Sequence, residues 1–241
     1  MSLSQMDQLA PYTRCYCEEN VYALLHRLAK DEQRTQHAPH VSKTNNYAIF
    51  ISNLDRTALL FQQQASNKGE HEGHYVLWDY HVITVSVTID DITSDRRAVV
   101  IDPDSKLPSP APLQEYVLET FRPWLFETVV PERFNCRFRV VKGDAFLLNF
   151  ASDRSHMLAG PDGNAVSDTA AGQSPNVYIH TPPSHLPIQG PAARARGETN
   201  NLWAKYLDMR LDDELDGLGR AESECYGVVV AGVDELLGYP W

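Results

Sequence analysis

What this sequence has little of narrows it first. Only four cysteines occur in 241 residues, and they do not form two short-spaced ligand pairs: Cys15 and Cys17 are one residue apart, while Cys136 and Cys225 stand alone. Structural zinc sites draw on paired ligands, so this spacing argues against one, although nine histidines could complete a site in three dimensions. No window approaches the roughly 18 apolar residues of a membrane-spanning helix. The first residues, MSLSQMDQLAPYTR, carry no apolar run of the signal-peptide kind. A reducing intracellular compartment, cytoplasm with the nucleus as a second location, is therefore expected. A Cys15–Cys17 disulfide is disfavoured there and would close a strained ring. Positive charge is scarce too. The 21 Lys and Arg against 32 Asp and Glu give a net charge of -11, with no basic stripe, which argues against a nucleic-acid backbone or an anionic membrane as partner. There is no internal repeat.

What is present reads as one mixed α/β catalytic domain over residues 1–241, since this length supports a single sizeable core. Hydrophobic residues at 43% and charged residues at 22% are an ordinary globular balance. In EENVYALLHRLAK, Val21, Leu24, Leu25 and Leu28 recur at helical spacing, with Glu18 and Glu19 in the first turn, where the helix dipole favours acids. Cys17 then falls at or just before a helix N-terminus. YAIFIS, HYVLWDYHVITVSVTI, RRAVVID and CRFRVVK read as strands. The second is the strongest signal, with His81, Ile83, Val85, Val87 and Ile89 on one face. DPDSKLPSPAP is too rich in proline for regular structure. LQEYVLETFRPWLFETV reads as a helix broken at Pro123, GDAFLLNFA as a short helix, and NLWAKYLDM as helical. CYGVVVAGVDELLGY supplies a last strand and a closing helix. Residues 160–200, rich in Pro, Gly and Ala, read as a surface excursion with one short strand candidate, NVYIHT.

Three residues suggest a nucleophilic site. The unpaired amides of a helix N-terminus stabilise a thiolate and can donate to a developing oxyanion, which favours Cys17 over Cys15. His81, in an apolar strand, is a base candidate; a hydrogen-bonded core histidine is the alternative. Asp102 ends the next strand, where it is either a turn residue or, if the two strands form a hairpin, the carboxylate that returns to orient His81. Asp104, two residues on, is its rival.

These residues sit in motifs. CYCEEN (15–20), WDYHV (78–82), the Asp of VIDPDS and NFASDRSHM (149–157) resemble the protein N-terminal glutamine amidohydrolase family in order and approximate spacing. The resemblance extends more weakly to NNLWAKYLDM and GVVVAGVDELLG. It implies a papain-like or transglutaminase-like cysteine-hydrolase fold, with a mainly antiparallel central sheet flanked by helices. It also implies Cys17, His81 and Asp102 as catalytic residues, no metal or other cofactor, and deamidation of an N-terminal Gln to Glu through a γ-glutamyl thioester. Substrates would be proteins or peptides with a free N-terminal Gln, handled by a monomer and feeding an arginylation-dependent N-degron route. Glu18, Glu19 and Asp79 are the nearest acids in sequence for a substrate α-ammonium, with a helix-dipole or solvated role as their alternative. Arg154 is expected in a structural ion pair. Competing functions are a cysteine protease or transglutaminase on the same residues, or a non-catalytic recognition module that binds N-termini or engages a partner through HTPPSHLP.

Overall fold

The computed structural model describes residues 12–35, 43–90, 92–159, 177–211 and 219–241. Helix α1 (Cys17–Thr35) is followed by strands β1 (Lys43–Ser52), β2 (Ala58–Leu60), β3 (Val76–Trp78), β4 (His81–Ile89), β5 (Arg96–Ile101) and β6 (Ala111–Pro112). Helices α2 (Leu113–Phe121) and α3 (Pro123–Phe126) lead to strand β7 (Arg137–Lys142) and helix α4 (Gly143–Asn149). Helices α5 (Pro191–Ala195) and α6 (Gly219–Tyr226), strand β8 (Val228–Val230) and helix α7 (Val233–Leu237) complete the chain. Six strands form one sheet in the order β6-β5-β4-β1-β7-β8, and every pairing in it is antiparallel. The chain is thus a mixed α/β protein with a central antiparallel sheet flanked by helices.

Alternation along β1 and β4 decides which helices cover which face. Ile49, Ile51, Ile83, Val85 and Val100 share one side with Tyr116, Val117 and Phe121 of α2 and Leu236 of α7. Ala48, Phe50, Val82 and Val141 face Val21, Tyr22 and Leu25 of α1, together with Phe146 of α4 and Phe150. Phe146 meets Tyr22 at 5.7 Å and Phe50 at 5.5 Å, both edge to face. Burying each such ring stabilises the fold by about 1.5–3 kcal/mol. This aromatic cluster holds α1, and with it Cys17, against the sheet.

Three sequence expectations are modified. The long strand over 74–89 is two strands, because Asp79–Tyr80 turn the chain: Ser52 Oγ donates to the Asp79 carbonyl at 2.6 Å, and Tyr80 N–H donates to Asp79 Oδ1 at 2.9 Å. β3 then pairs with β2 in a separate ribbon. NLWAKYLDM forms a π-helical turn over Leu202–Tyr206, with Leu207 N–H reaching the Leu202 carbonyl, five residues back. NVYIHT contributes one isolated bridge, Leu158 to Tyr178, and no strand. Of the segment 160–200, residues 160–176 lie outside the described residues. Its later part carries α5, and Ile188 and Ala193 are fully buried. The break expected at Pro123 is present, with Arg122 at φ +44° between the two helices. Gly227 has φ +75°, and a Cβ there would lie 2.1 Å from the Val140 carbonyl, so only glycine lets β8 approach β7.

Candidate active site

Cys17 is the first residue of α1, as the acidic pair behind it suggested. Asn20 fixes the approach to it. Its side chain accepts from Thr13 N–H and donates to the Thr13 carbonyl, both at 2.8 Å, pinning the turn that delivers the thiol. Cys15, two residues earlier, takes φ +67° in that turn. The Val82 backbone amide, next to His81, hydrogen-bonds the Cys17 sulfur.

His81 opens β4, and the register Thr84↔Ile101 brings Asp102 back beside it. His81 Nε2 lies 3.1 Å from Asp102 Oδ1, and both side chains are sealed from solvent. The hairpin geometry expected from the sequence therefore holds, and Asp102 rather than Asp104 is the hydrogen-bond partner of His81. Tyr116 of α2 donates its hydroxyl to Asp102 Oδ2 at 2.7 Å, and the Asp104 amide donates to Oδ1 at 2.9 Å. Burial works against charge on Asp102, yet His81 and these donors hold its carboxyl below the usual range. Burial likewise opposes a charged His81, and the Asp102 carboxylate outweighs it, so the imidazole pKa is raised. The indole of Trp78 stacks on the imidazole at 5.9 Å with planes 17° apart. With Nε2 committed to Asp102, Nδ1 is the nitrogen left for chemistry.

The acidic pair points inward. Glu18 and Glu19 are 0% and 1% exposed, so neither is the solvated helix-start acid that composition alone would suggest. Arg154 grips Glu19 with two parallel hydrogen bonds, Nε to Oε1 at 2.7 Å and Nη2 to Oε2 at 2.8 Å, the structural ion pair expected of it. Burial nevertheless pushes the Glu19 carboxyl up to about 7. Arg154 also donates to the Pro183 and His185 carbonyls, and Tyr16 donates to that of His180, so HTPPSHLP is strapped to the body beside Cys17. Glu18 Oε2 accepts from Tyr80 at 3.0 Å and lies 3.6 Å from the Cys17 thiol. Its other oxygen makes a 3.5 Å ion-pair contact with His156.

Burial, then the Glu18 carboxylate, drives the Cys17 thiol pKa well above its ordinary value. This reverses the expectation that the helix start would depress it. Dehydration and an adjacent anion outweigh the hydrogen bond from the Val82 amide. Asp79 as a residue is exposed near this cluster, while the protein packed around its carboxyl partly desolvates the group and raises its pKa.

Cys17 opens into a pocket of about 170 Å³ between α1 and the β4–β5 hairpin, lined also by Tyr12, Val82, Ile101, Pro103 and Asp104. That is well below the 300–1,000 Å³ usual for drug-sized ligands and suits a single residue. Ligand atoms of His81, Asp102 and Asp104 lie within 4.8 Å of one another, close enough to share a cation. Their hydrogen bonds are already formed within the protein, with Asp102 on His81 and Tyr116 and Asp104 on Tyr12. Sequence reasoning missed Tyr116, Tyr80 and His156. The last two lie inside the quoted motifs WDYHV and SDRSHM, so the signal was present without a partner to interpret it. Nothing in α2 marked Tyr116 as different from other helix-face aromatics.

A helix-start thiol linked through the Val82 amide to the strand that carries a buried imidazole–carboxylate pair offers the residue types that thiol-dependent acyl-transfer enzymes use. The profile of the family described as N-terminal glutamine amidase matches residues 12–234, and the chain belongs to that family. Proteins named Protein N-terminal glutamine amidohydrolase from Drosophila mojavensis and Drosophila ananassae are 38% identical over 177 residues, covering 73% of this chain and 71% of theirs. The protein of that name from Drosophila melanogaster is 37% identical over the same shares.

Proposed function

We propose that this protein is a thiol amidohydrolase that converts the N-terminal Gln of proteins or peptides to Glu and releases ammonia. The observation that carries the reading is the His81–Asp102 pair beside the helix-start thiol, in a chain matched by the N-terminal glutamine amidase family. Cys17 Sγ attacks the side-chain carboxamide carbon, and its proton passes to His81. The tetrahedral oxyanion takes hydrogen bonds from amides at the start of α1. His81 returns the proton to the leaving nitrogen, the C–N bond breaks, and a γ-glutamyl thioester remains on Cys17. His81 then draws a proton from water as it attacks the thioester. Hydrolysis frees the Glu-initiated chain and restores the thiol. Asp102, held by Tyr116, keeps the imidazole oriented and stabilises its charged form. Because burial keeps the resting thiol protonated, proton transfer to His81 accompanies attack rather than preceding it. No cofactor enters these steps.

The chain order of Cys on a helix, His at a strand start and Asp at the end of the next strand supports a papain-like or transglutaminase-like arrangement. The small pocket favours one residue over the extended cleft of an endopeptidase. A net charge of -11 supports protein N-termini over nucleic acid or anionic membrane as partners. A monomer that admits whole protein N-termini, acting in the cytoplasm and nucleus ahead of arginylation, completes the reading. Ammonia release from a Gln-initiated peptide tests it, with Cys17→Ala and Cys15→Ser compared side by side. Turnover should vanish in the first and persist in the second. An active Cys17→Ala, or equal turnover of an N-acetylated Gln peptide, would refute the proposal.

A further inference from the structure

The described residues contain four buried carboxylates around the thiol, and three are already in direct hydrogen-bond or ion-pair contact with a cationic or ionisable side chain. Glu19 is held by Arg154, Glu18 contacts His156, and Asp102 bonds His81. Asp104 differs. It is 8% exposed, and among the described residues its side chain bonds only the phenol of Tyr12, a neutral donor. A buried carboxylate whose hydrogen-bond partner is neutral is costly unless a cation comes into contact with it. Asp104 also lines the pocket into which Cys17 opens, on the opposite wall from α1. One of its oxygens lies within 4.8 Å of the His81 and Asp102 ligand atoms, so it borders the reacting centre.

Resting on the amidase reading, we infer that Asp104 is the specificity residue that receives the α-ammonium group of the substrate's first residue. The four bonds from the α-nitrogen of Gln to its carboxamide carbon span about 5 Å when extended. An ammonium held at Asp104 therefore sets that carbon at a fixed reach towards Cys17. Asn, one methylene shorter, stops short of the sulfur. An acetylated terminus brings no charge for the carboxylate and adds bulk in a pocket sized for one residue. Glu18 and Glu19 are sealed behind the thiol and already engaged, which removes them as rivals. Asp79 remains one, because it is exposed near the same cluster.

The test compares a Gln-initiated peptide with its desamino counterpart, in which a 4-carbamoylbutanoyl group replaces Gln. The readout is the ratio of their kcat/KM values. Asp104→Asn should shrink this ratio by about 10- to 100-fold, the range for losing a hydrogen bond to a charged group, chiefly through KM of the amine substrate. Tyr12→Phe, which strips the competing phenol from the carboxylate, should enlarge it. Equal losses on both peptides in Asp104→Asn would mean that Asp104 acts through His81 or the fold, and the assignment would fall. It would fall equally if Asp79→Asn collapsed the ratio instead. Should Asp104→Asn not fold, an unchanged ratio in Tyr12→Phe overturns the inference. Absence of ammonia release from either peptide with the unsubstituted protein would remove the amidase reading, and this inference with it.

Discussion

Replacing Glu18 by Gln removes a negative charge 3.6 Å from the Cys17 sulfur while keeping the shape and the hydrogen bond to Tyr80. At an effective dielectric of about 20, unit charges that close interact by about 4.6 kcal/mol. The carboxylate charge is spread over two oxygens, one of them facing His156, so only part of that energy acts on the sulfur. The direction is fixed: losing the anion favours the thiolate, and the thiol pKa must fall. Asp104 and Asp79 also raise it and are untouched by the substitution. The assay follows alkylation of Cys17 by iodoacetamide against pH, by peptide mass spectrometry in a Cys15→Ser background. The midpoint of the rate profile should move to lower pH in Glu18→Gln. An unmoved midpoint, or one displaced upward, would show that the inward-pointing glutamate has no electrostatic hold on this thiol.

Two further perturbations probe the supports of the site. Arg154→Met leaves Glu19 buried without its partner and should cost about 3–5 kcal/mol, read from urea denaturation. Glu19 adds a pH signature. Its folded-state carboxyl sits at about 7, above its ordinary 4.5, so the native state binds the extra proton and stability declines as pH rises through that window. The urea midpoint should drop between those pH values in the parent more than in Glu19→Gln; identical slopes would refute the raised value. Tyr116→Phe removes a 2.7 Å donor from Asp102, so the Asp102 pKa should rise and the acid limb of kcat/KM should move to higher pH. A lower activity with an unmoved limb would assign Tyr116 to packing alone.

Periodicity made the sheet and its main helix legible. The alternation around His81 and the heavy Val and Ile content of β4 and β5 pointed to a hairpin that returns Asp102 towards His81, without separating it from Asp104. Local chemistry also placed Cys17 at a helix start. What could not be read was the direction of side chains at that start. Glu18 and Glu19 look like ordinary first-turn acids until residues 154 and 156, more than 130 positions away, supply the cations that let them turn inward. The rise of the Cys17 pKa followed from the same blind spot, because burial is a tertiary property. The turn at Asp79–Tyr80 was hidden for a similar reason: it depends on Ser52 from another strand. Asp104 was visible only as a second choice for orienting His81, and its place in the pocket wall needed the hairpin, α1 and Tyr12 together.

The ends of the sheet have a consequence for breadth of use. One edge strand, β6, is two residues long and contains Pro112; the other, β8, has three residues. The part of β5 that β6 leaves uncovered begins with the exposed charges Arg96 and Arg97. Such edges discourage an incoming chain from docking as an extra strand. On the amidase reading, a substrate then gains no ladder of main-chain hydrogen bonds from the edges of this sheet. Recognition is concentrated on the terminal residue, and the enzyme can serve proteins whose following sequences have nothing in common.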